Sequence, residues 1–360
     1  METFYYVIAI VLIFGAVILF HEAGHFFCAK LAKIRIYEFA MGMGPVLASF
    51  RRNDTQYSIR AIPIGGMVRV AGMEGEEEPV PDGFNSKSLP VRIAVIAAGP
   101  AMNVVLAALI FCLTYSIIGV PTGITPQVER VFAGSPAAKA GLRSGDRIVE
   151  INRVSKNLDA MREQIMQNPN KPIPMVVQRN GQPVQLQLVP NRIKDQQAEF
   201  NKDGSLNRVK EVRRGQIGIT FKMNYRQLSV GAALVRGVEE TVAITKGIVM
   251  SFVWLFERRV PAQFAGPVGI IGMMYDQAKI SWLSFLQFAG IFNVMVAFFN
   301  LIPFPALDGS RIFFLLIEAV RGKPIDQRKE NLVHTVGMVI LLAFVLFVTV
   351  GDIWRRWGPQ

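Results

Sequence analysis

Residues 4–20 of this 360-residue chain, FYYVIAIVLIFGAVILF, carry no charge. No other feature restricts the fold as tightly. A half-buried strand would alternate polar and apolar side chains, and a surface helix would show a polar stripe; this run does neither. As an α-helix it would be roughly 25 Å long, most of the thickness of a hydrocarbon core. Residues 4 to about 32 are therefore read as a membrane span. The apolar run ends on His21-Glu22-Ala23-Gly24-His25, which holds two of the three histidines in the chain. Two imidazoles four residues apart on a helix project from one face and can share a metal ion. Polar groups beside a span are costly unless they face a protein interior or a water-filled cavity, so they mark a functional site.

Composition agrees with further spans. Hydrophobic residues make up 51% of the chain and charge gathers toward its middle, the profile of a membrane protein with a polar insert. The net charge of +12 does not call for nucleic acid. Many Lys and Arg lie beside apolar spans, where they set orientation and meet lipid headgroups. No zinc-finger spacing or aromatic-basic stripe occurs. Cys28 and Cys112 both fall in apolar segments, so no disulfide framework is implied. The first apolar run lacks a basic n-region and a small-residue cleavage site, and is read as an uncleaved anchor.

Three more spans follow, at about 91–120, 282–304 and 332–350. Lys30, Lys33 and Arg35 flank the first, and Arg321, Lys323, Arg328 and Lys329 precede the last. By the positive-inside tendency these ends are cytoplasmic and both termini lie outside. The HExxH end of span one and Asp308, just after span three, then meet near the cytoplasmic face. Trp354 and Trp357 fall where interfacial aromatics belong. Residues 56–70 suggest a short β-hairpin with Ile64-Gly65-Gly66 as turn or bulge, and residues 74–81 (EGEEEPVP) a charged surface loop. Residues 122–192 alternate short strands and helices around Gly145-Asp146 and read as a small α+β domain. Residues 193–213 are charged and read as a linker. Residues 228–256 are apolar but interrupted by Arg236, Glu239, Glu240 and Lys246, which fits an amphipathic helix on or dipping into the membrane. The predicted division is a membrane core in two halves, 1–120 and 282–360, an inserted domain at 121–192, and a linker with a membrane-surface segment at 193–281.

The chemistry predicted is that of a metalloprotease with its active site within or at the edge of the bilayer. A catalytic zinc takes three protein ligands and leaves a fourth position open. His21 and His25 supply two, and Asp308 is the carboxylate best placed by topology. Cys28 competes, since it shares their helical face and thiolate suits zinc, although three ligands on one rigid helix make poor tetrahedral angles. Glu22 is the expected general base. Asn300 is a candidate donor to the developing oxyanion or to a ligand. His334 reads as a polar residue at the end of a span. Gly99-Pro100 and Asn103 read as helix packing or as part of the site, and Gly65-Gly66 as an ordinary turn or a functional one.

Together these segments resemble the site-2 protease family of intramembrane zinc metalloproteases, in the bacterial form with one PDZ domain. The matching pieces are FHEAGHFFCAK (20–30), FAMGMGPVL (39–47), YSIRAIPIGGMVRVAGM (57–73), FNSKSLPVRIAVIAAGPAMN (84–103), AGPVGI (265–270), NLIPFPALDGSR (300–311) and, for the PDZ part, SPAAKAGLRSGDRIVEINRV (135–154). The resemblance implies a polytopic α-helical protein of about four transmembrane helices in a bacterial cytoplasmic (inner) membrane, with a membrane-associated β-hairpin and one inserted α+β PDZ domain outside. It implies one Zn2+ held by His21, His25 and Asp308, with Glu22 as acid/base. It implies that the hairpin edge around Gly65, Gly66, Met67 and Val68 pairs with an unwound substrate strand, that Asn300 meets the substrate, and that residues 228–256 help gate access. Asn293 and Pro303 are expected behind the site. Many relatives carry an Asn where this chain has Met295, and Asn293 is the nearest substitute. The implied partners are single-span membrane proteins such as anti-sigma factors, remnant signal peptides, peptide ends at the PDZ domain, and the bilayer. Two other classes compete: a PDZ-based membrane scaffold with an inactive metal site, disfavoured by the intact Glu22, and an ion transporter, disfavoured by the lack of an inverted repeat.

Overall fold

The computed structural model describes residues 2–73, 80–155, 157–200, 206–260 and 264–357. Most of the acidic loop expected at 74–81 lies outside the described residues. The chain divides into two units, one made of Met1–Thr114, Ser229–Ile248 and Gln263–Gln360, the other of Tyr115–Leu228 and Val249–Ala262.

The first unit opens with α1 (Glu2–Leu31), which runs unbroken through the HExxH residues. Two long strands follow, β1 (Ile36–Arg52) and β2 (Thr55–Val70). They turn at Asn53-Asp54, where Asn53 takes a left-handed φ of 54°, a conformation asparagine tolerates. The strands then double back. Residues 46–52 pair with 55–60, while residues 36–41 pair with 66–70 on one side and lie beside 56–59 on the other. The expected hairpin within 56–70 is therefore corrected: its turn is at Asn53-Asp54, and Gly65 (φ 77°) bends β2 from inside. Only glycine takes that φ without penalty. Residues 66–70 form one border of this sheet, and the opposite border exposes Leu47 and Phe50. Buried Glu38 pins the fold, accepting from Ser58 Oγ at 2.5 Å and from Arg60 Nη2 at 2.8 and 2.9 Å. Burial would raise its carboxyl, but those two donors hold it below the ordinary range.

Helix α2 (Leu89–Ile117) crosses α1. A buried cluster of Phe26, Ile36, Val70, Phe84, Ile96 and Leu315 ties α1, the doubled sheet and α2 together.

In the second unit, β3 (Val120–Val131) leads to α3 (Pro136–Lys139), capped by Ser135 Oγ, which accepts from the Ala138 amide at 3.2 Å. Then come β4 (Arg147–Ile151), β5 (Val154–Ser155), α4 (Leu158–Gln167), β6 (Ile173–Arg179) and β7 (Gln182–Leu188). Strands β8 (Asn191–Phe200) and β9 (Leu206–Gln216) form a separate ribbon, and β10 (Ile219–Arg226) returns to the sheet, whose order is β10-β3-β4-β6-β7. Two expectations change here. The charged stretch read as a linker instead holds two paired strands, over 193–200 and 206–213, and its charges pair across them: Arg208 with Glu199 at 2.6 Å and Lys194 with Glu211 at 3.2 Å. The inserted domain also does not end at 192, since alternating Ile219, Phe221, Met223 and Tyr225 make β10 a strand of its sheet. Its core holds Val128, Ile148, Ile151, Met161, Met175 and Leu188.

Helix α5 (Val230–Phe256), whose residues up to Ile248 belong to the first unit, buries Ala233, Gly237 and Thr241 and exposes Leu234, Val238 and Val242. A Cβ on Gly237 would lie 2.8 Å from the Ala108 carbonyl oxygen, so this small-residue stripe seats the helix on α2. Arg236 is paired with Glu240 one turn on, at 2.9 Å, as an amphipathic helix allows. Helices α6 (Pro267–Ile280), α7 (Trp282–Leu301), α8 (Asp308–Arg321) and α9 (Gln327–Trp357) complete the unit. Among the described residues, four helices are long and apolar enough to cross a membrane: α1, α2, α7 and α9, over Thr3–Leu31, Leu89–Ile117, Trp282–Leu301 and Arg328–Arg356. This is the span count read from the sequence.

Candidate active site

The HExxH residues occupy the last turns of α1, and glycine brings α2 directly behind them. A Cβ on Gly24 would lie 2.2 Å from the Ala98 carbonyl oxygen, so the two helices touch backbone to backbone. On α2, Gly99 leaves the space that the His25 ring fills: a Cβ there would lie 2.2 Å from His25 Nε2. The close crossing lets α2 orient both imidazoles. His25 Nδ1 donates to the Val95 carbonyl at 2.9 Å, which puts its proton on Nδ1 and leaves Nε2 with a lone pair. His21 Nδ1 meets the side-chain amide of fully buried Asn103 at 3.2 Å. With the amide nitrogen there, Asn103 Oδ1 is buried without a partner. Turning the amide over changes no shape and sets Oδ1 to accept from Nδ1–H. Both Nε2 atoms then present lone pairs to the same point.

Asp308 reaches that point from the far end of the chain. Helix α7 stops at Leu301 because Pro303 and Pro305 cannot continue it. Asp308 is the first residue of α8, and Gly309 tucks this start against α7, where a Cβ would lie 2.4 Å from the Leu301 and Ile302 carbonyl oxygens. Asp308 Oδ2 lies 3.1 Å from His21 Nε2 and 3.3 Å from His25 Nε2, and the two Nε2 atoms are 3.3 Å apart. A tetrahedral zinc with ligand bonds of about 2.0–2.1 Å holds its ligands roughly 3.3 Å from one another. The triangle therefore has the size a zinc ion needs. Asp308 Oδ2 is buried without a hydrogen-bond donor, as an atom meant for a cation would be. His21, His25 and Asp308 are the one such group of possible metal ligands among the described residues. Cys28 is not part of it and packs instead against the cluster around Phe26 and Val70.

The triad and Glu22 line a cleft of about 300 Å3, together with Met67, Val68, Asn300, Leu307 and Arg311. The border 66–70 of the doubled sheet forms one wall. Gly66 lies directly against Glu22: a Cβ there would fall 2.5 Å from Glu22 Cγ. Gly65 supplies the bend and does not line the cleft. Asn300 faces the cleft with one amide hydrogen on the Val296 carbonyl at 2.9 Å, leaving the other. Asn293 is fully buried two turns back on α7, with its amide on the Ala289 carbonyl, and does not line the cleft. Pro303 lies in the break between α7 and α8. The sequence reading left Gly99 and Asn103 undecided and missed the Val95 carbonyl. The four-residue spacing of Gly99 and Asn103 within one apolar helix was the available signal.

A family profile described as Peptidase family M50 matches residues 9–344. The "Regulator of sigma-W protease RasP" of Bacillus subtilis is 31% identical over 435 aligned residues, covering 97% of this chain and 98% of that protein. The "Zinc metalloprotease RasP" of Bacillus licheniformis is 30% identical, with 97% and 99% covered, and that of Oceanobacillus iheyensis is also 30% identical, with 97% and 99% covered. With a profile spanning nearly the whole chain and relatives of this similarity along their full length, the chain belongs to peptidase family M50, the site-2 proteases.

Proposed function

We propose that this protein is an intramembrane zinc metalloprotease that cuts peptide bonds in or near the transmembrane segments of single-span membrane proteins. The observation that carries the reading is the convergence of His21, His25 and Asp308 on one buried triangle, beside Glu22, in a cleft walled by a strand border. His21, His25 and Asp308 would hold one Zn2+, which would supply Lewis-acid polarisation of the scissile carbonyl and of the attacking water. The chain's own groups do the rest. Glu22 takes a proton from the water and passes it to the leaving amide nitrogen. The free amide hydrogen of Asn300 is offered to the carbonyl oxygen as charge builds there. Val95 and Asn103 keep both imidazoles in the tautomer that leaves Nε2 bare.

An intact helix hides its carbonyls in its own hydrogen bonds, so a substrate must unwind to be cut. The border around Met67 and Val68 offers an extended substrate backbone hydrogen bonds in exchange. Exposed Met43, Val46, Leu47 and Phe50 give the rest of this sheet an apolar surface suited to the membrane. The inserted unit is a PDZ domain that takes peptide ends, with β10 completing its sheet. The protein sits in the cytoplasmic membrane with both termini and the PDZ domain outside and the metal site toward the cytoplasm. Its substrates, in this reading, are anti-sigma factors and remnant signal peptides; the Bacillus subtilis relative is named a "Regulator of sigma-W protease".

The test compares wild type with Glu22→Gln in liposomes, following cleavage of a tagged single-span peptide and bound zinc together. Cleavage abolished with about one zinc per chain retained is the expected result. Equal cleavage by both proteins would refute the assignment of Glu22.

A further inference from the structure

Helix α9 touches the segment that delivers Asp308. Between α7 and α8, the Ile302 amide donates to the Phe299 carbonyl, the Phe304 amide to Ile302 and the Leu307 amide to Phe304. Pro303 and Pro305 have no amide hydrogen. The remaining amide of residues 302–307, that of Ala306, donates to His334 Nδ1 at 3.2 Å. Ala306 stands at φ 79°, a left-handed conformation that strains any residue with a Cβ. Something outside the segment must hold it there, and His334 is in place to do so. Gly337, one turn further along α9, lets the contact form, since a Cβ there would lie 2.1 Å from Pro305 Cβ. Phe314 of α8 meets the His334 ring edge-on with centroids 5.8 Å apart. Glu330 Oε1 stands 3.7 Å from Nε2, too far for a direct hydrogen bond.

We propose that His334 is a positioning residue for the metal site: its Nδ1 accepts the Ala306 amide, fixes the strained turn two residues before Asp308, and so sets the place of the third ligand. The inference rests on the zinc reading of His21, His25 and Asp308. It gives the third histidine of the chain a role that is neither ligand nor catalyst. The geometry makes a sharp demand on chemistry. An acceptor is needed where Nδ1 lies, and an acceptor at the Nε2 position does not serve. The side-chain oxygen of asparagine falls near the first place and that of glutamine near the second.

The experiment measures zinc affinity of the full-length protein in detergent, by competition with a chelator, for wild type and for His334→Asn, His334→Gln and His334→Leu, with a helical melting curve for each. Wild type should hold one zinc, and His334→Asn should stay within about threefold of it. Gln and Leu should bind roughly 10- to 100-fold more weakly, the range expected when an outer partner of a metal site is lost. Equal affinity in all four proteins would overturn the inference, as would equal weakening of Asn, Gln and Leu, which would make His334 a packing residue only. No zinc on wild type would overturn the metal reading itself, a different result from the first two.

Discussion

Replacing Gly99 with alanine sets two effects of known sign against each other. In an ordinary helix interior the change is favourable by about 1 kcal/mol. Here the added carbon would lie 2.2 Å from His25 Nε2, 2.5 Å from Cε1 and 2.9 Å from Cδ2. Atoms of this size rest about 3.5 Å apart, so the ring must retreat by roughly 1 Å. It cannot swing freely, because Nδ1 is tied to Val95 on the same helix, one turn earlier. Moving α2 away instead would open the contact between Gly24 and Ala98. Metal–ligand distances tolerate about 0.2 Å. Gly99→Ala should therefore weaken zinc binding by about 100-fold or more, at least ~2.7 kcal/mol, and outweigh the gain in helix propensity. Chelator competition on the purified protein reads the affinity, and a melt without metal reads the fold. An alanine variant that keeps one zinc at wild-type affinity would refute the reasoning.

Two further outcomes follow from the geometry. Gly66→Ala should push the Glu22 side chain, 2.5 Å from the new carbon, out of line; kcat should fall by a factor on the order of 100 while zinc stays bound, and unchanged turnover would refute the contact. Asp146 accepts from the Arg143 amide and from Arg179 Nε and Nη2, each at 2.8 Å; burial would raise its carboxyl, but the Arg179 guanidinium and the Arg143 amide hold it below the ordinary range. A depressed carboxyl stabilises the fold above its unfolded pKa and loses that contribution as pH falls through the folded one. Asp146→Asn should thus destabilise the inserted unit at neutral pH, with the gap to wild type closing below about pH 4. Protease resistance of the full chain against pH measures this, and a gap that widened in acid would show the sign to be wrong.

The membrane helices were legible because a span is written in one unbroken stretch of sequence, and 4–20 could be little else. The triad was legible because charge asymmetry alone brings Asp308 to the face of the membrane that holds His21 and His25. What escaped was non-local. The doubled sheet depends on residues 36–41 choosing two neighbours at once, which no local pattern in 56–70 reveals. The ribbon from Asn191 to Gln216 looked like a linker because each strand alone is too charged to be stable, and its stability comes only from pairing. His334 looked like an end-of-span residue because its partner is a backbone amide 28 positions away, and backbone groups leave no mark on composition.

The triangle joins His21 to Asp308 across about 290 residues of chain. A growing polypeptide adds roughly 5–20 residues each second, so the two histidines wait on the order of a quarter of a minute to a minute for their third partner. Until the last part of the chain is made, the nascent protein has Glu22 and two corners of the triangle but no third. The triangle can therefore close only once α7 has been made and α8 begun, so the latest helices of the chain are the ones that complete it.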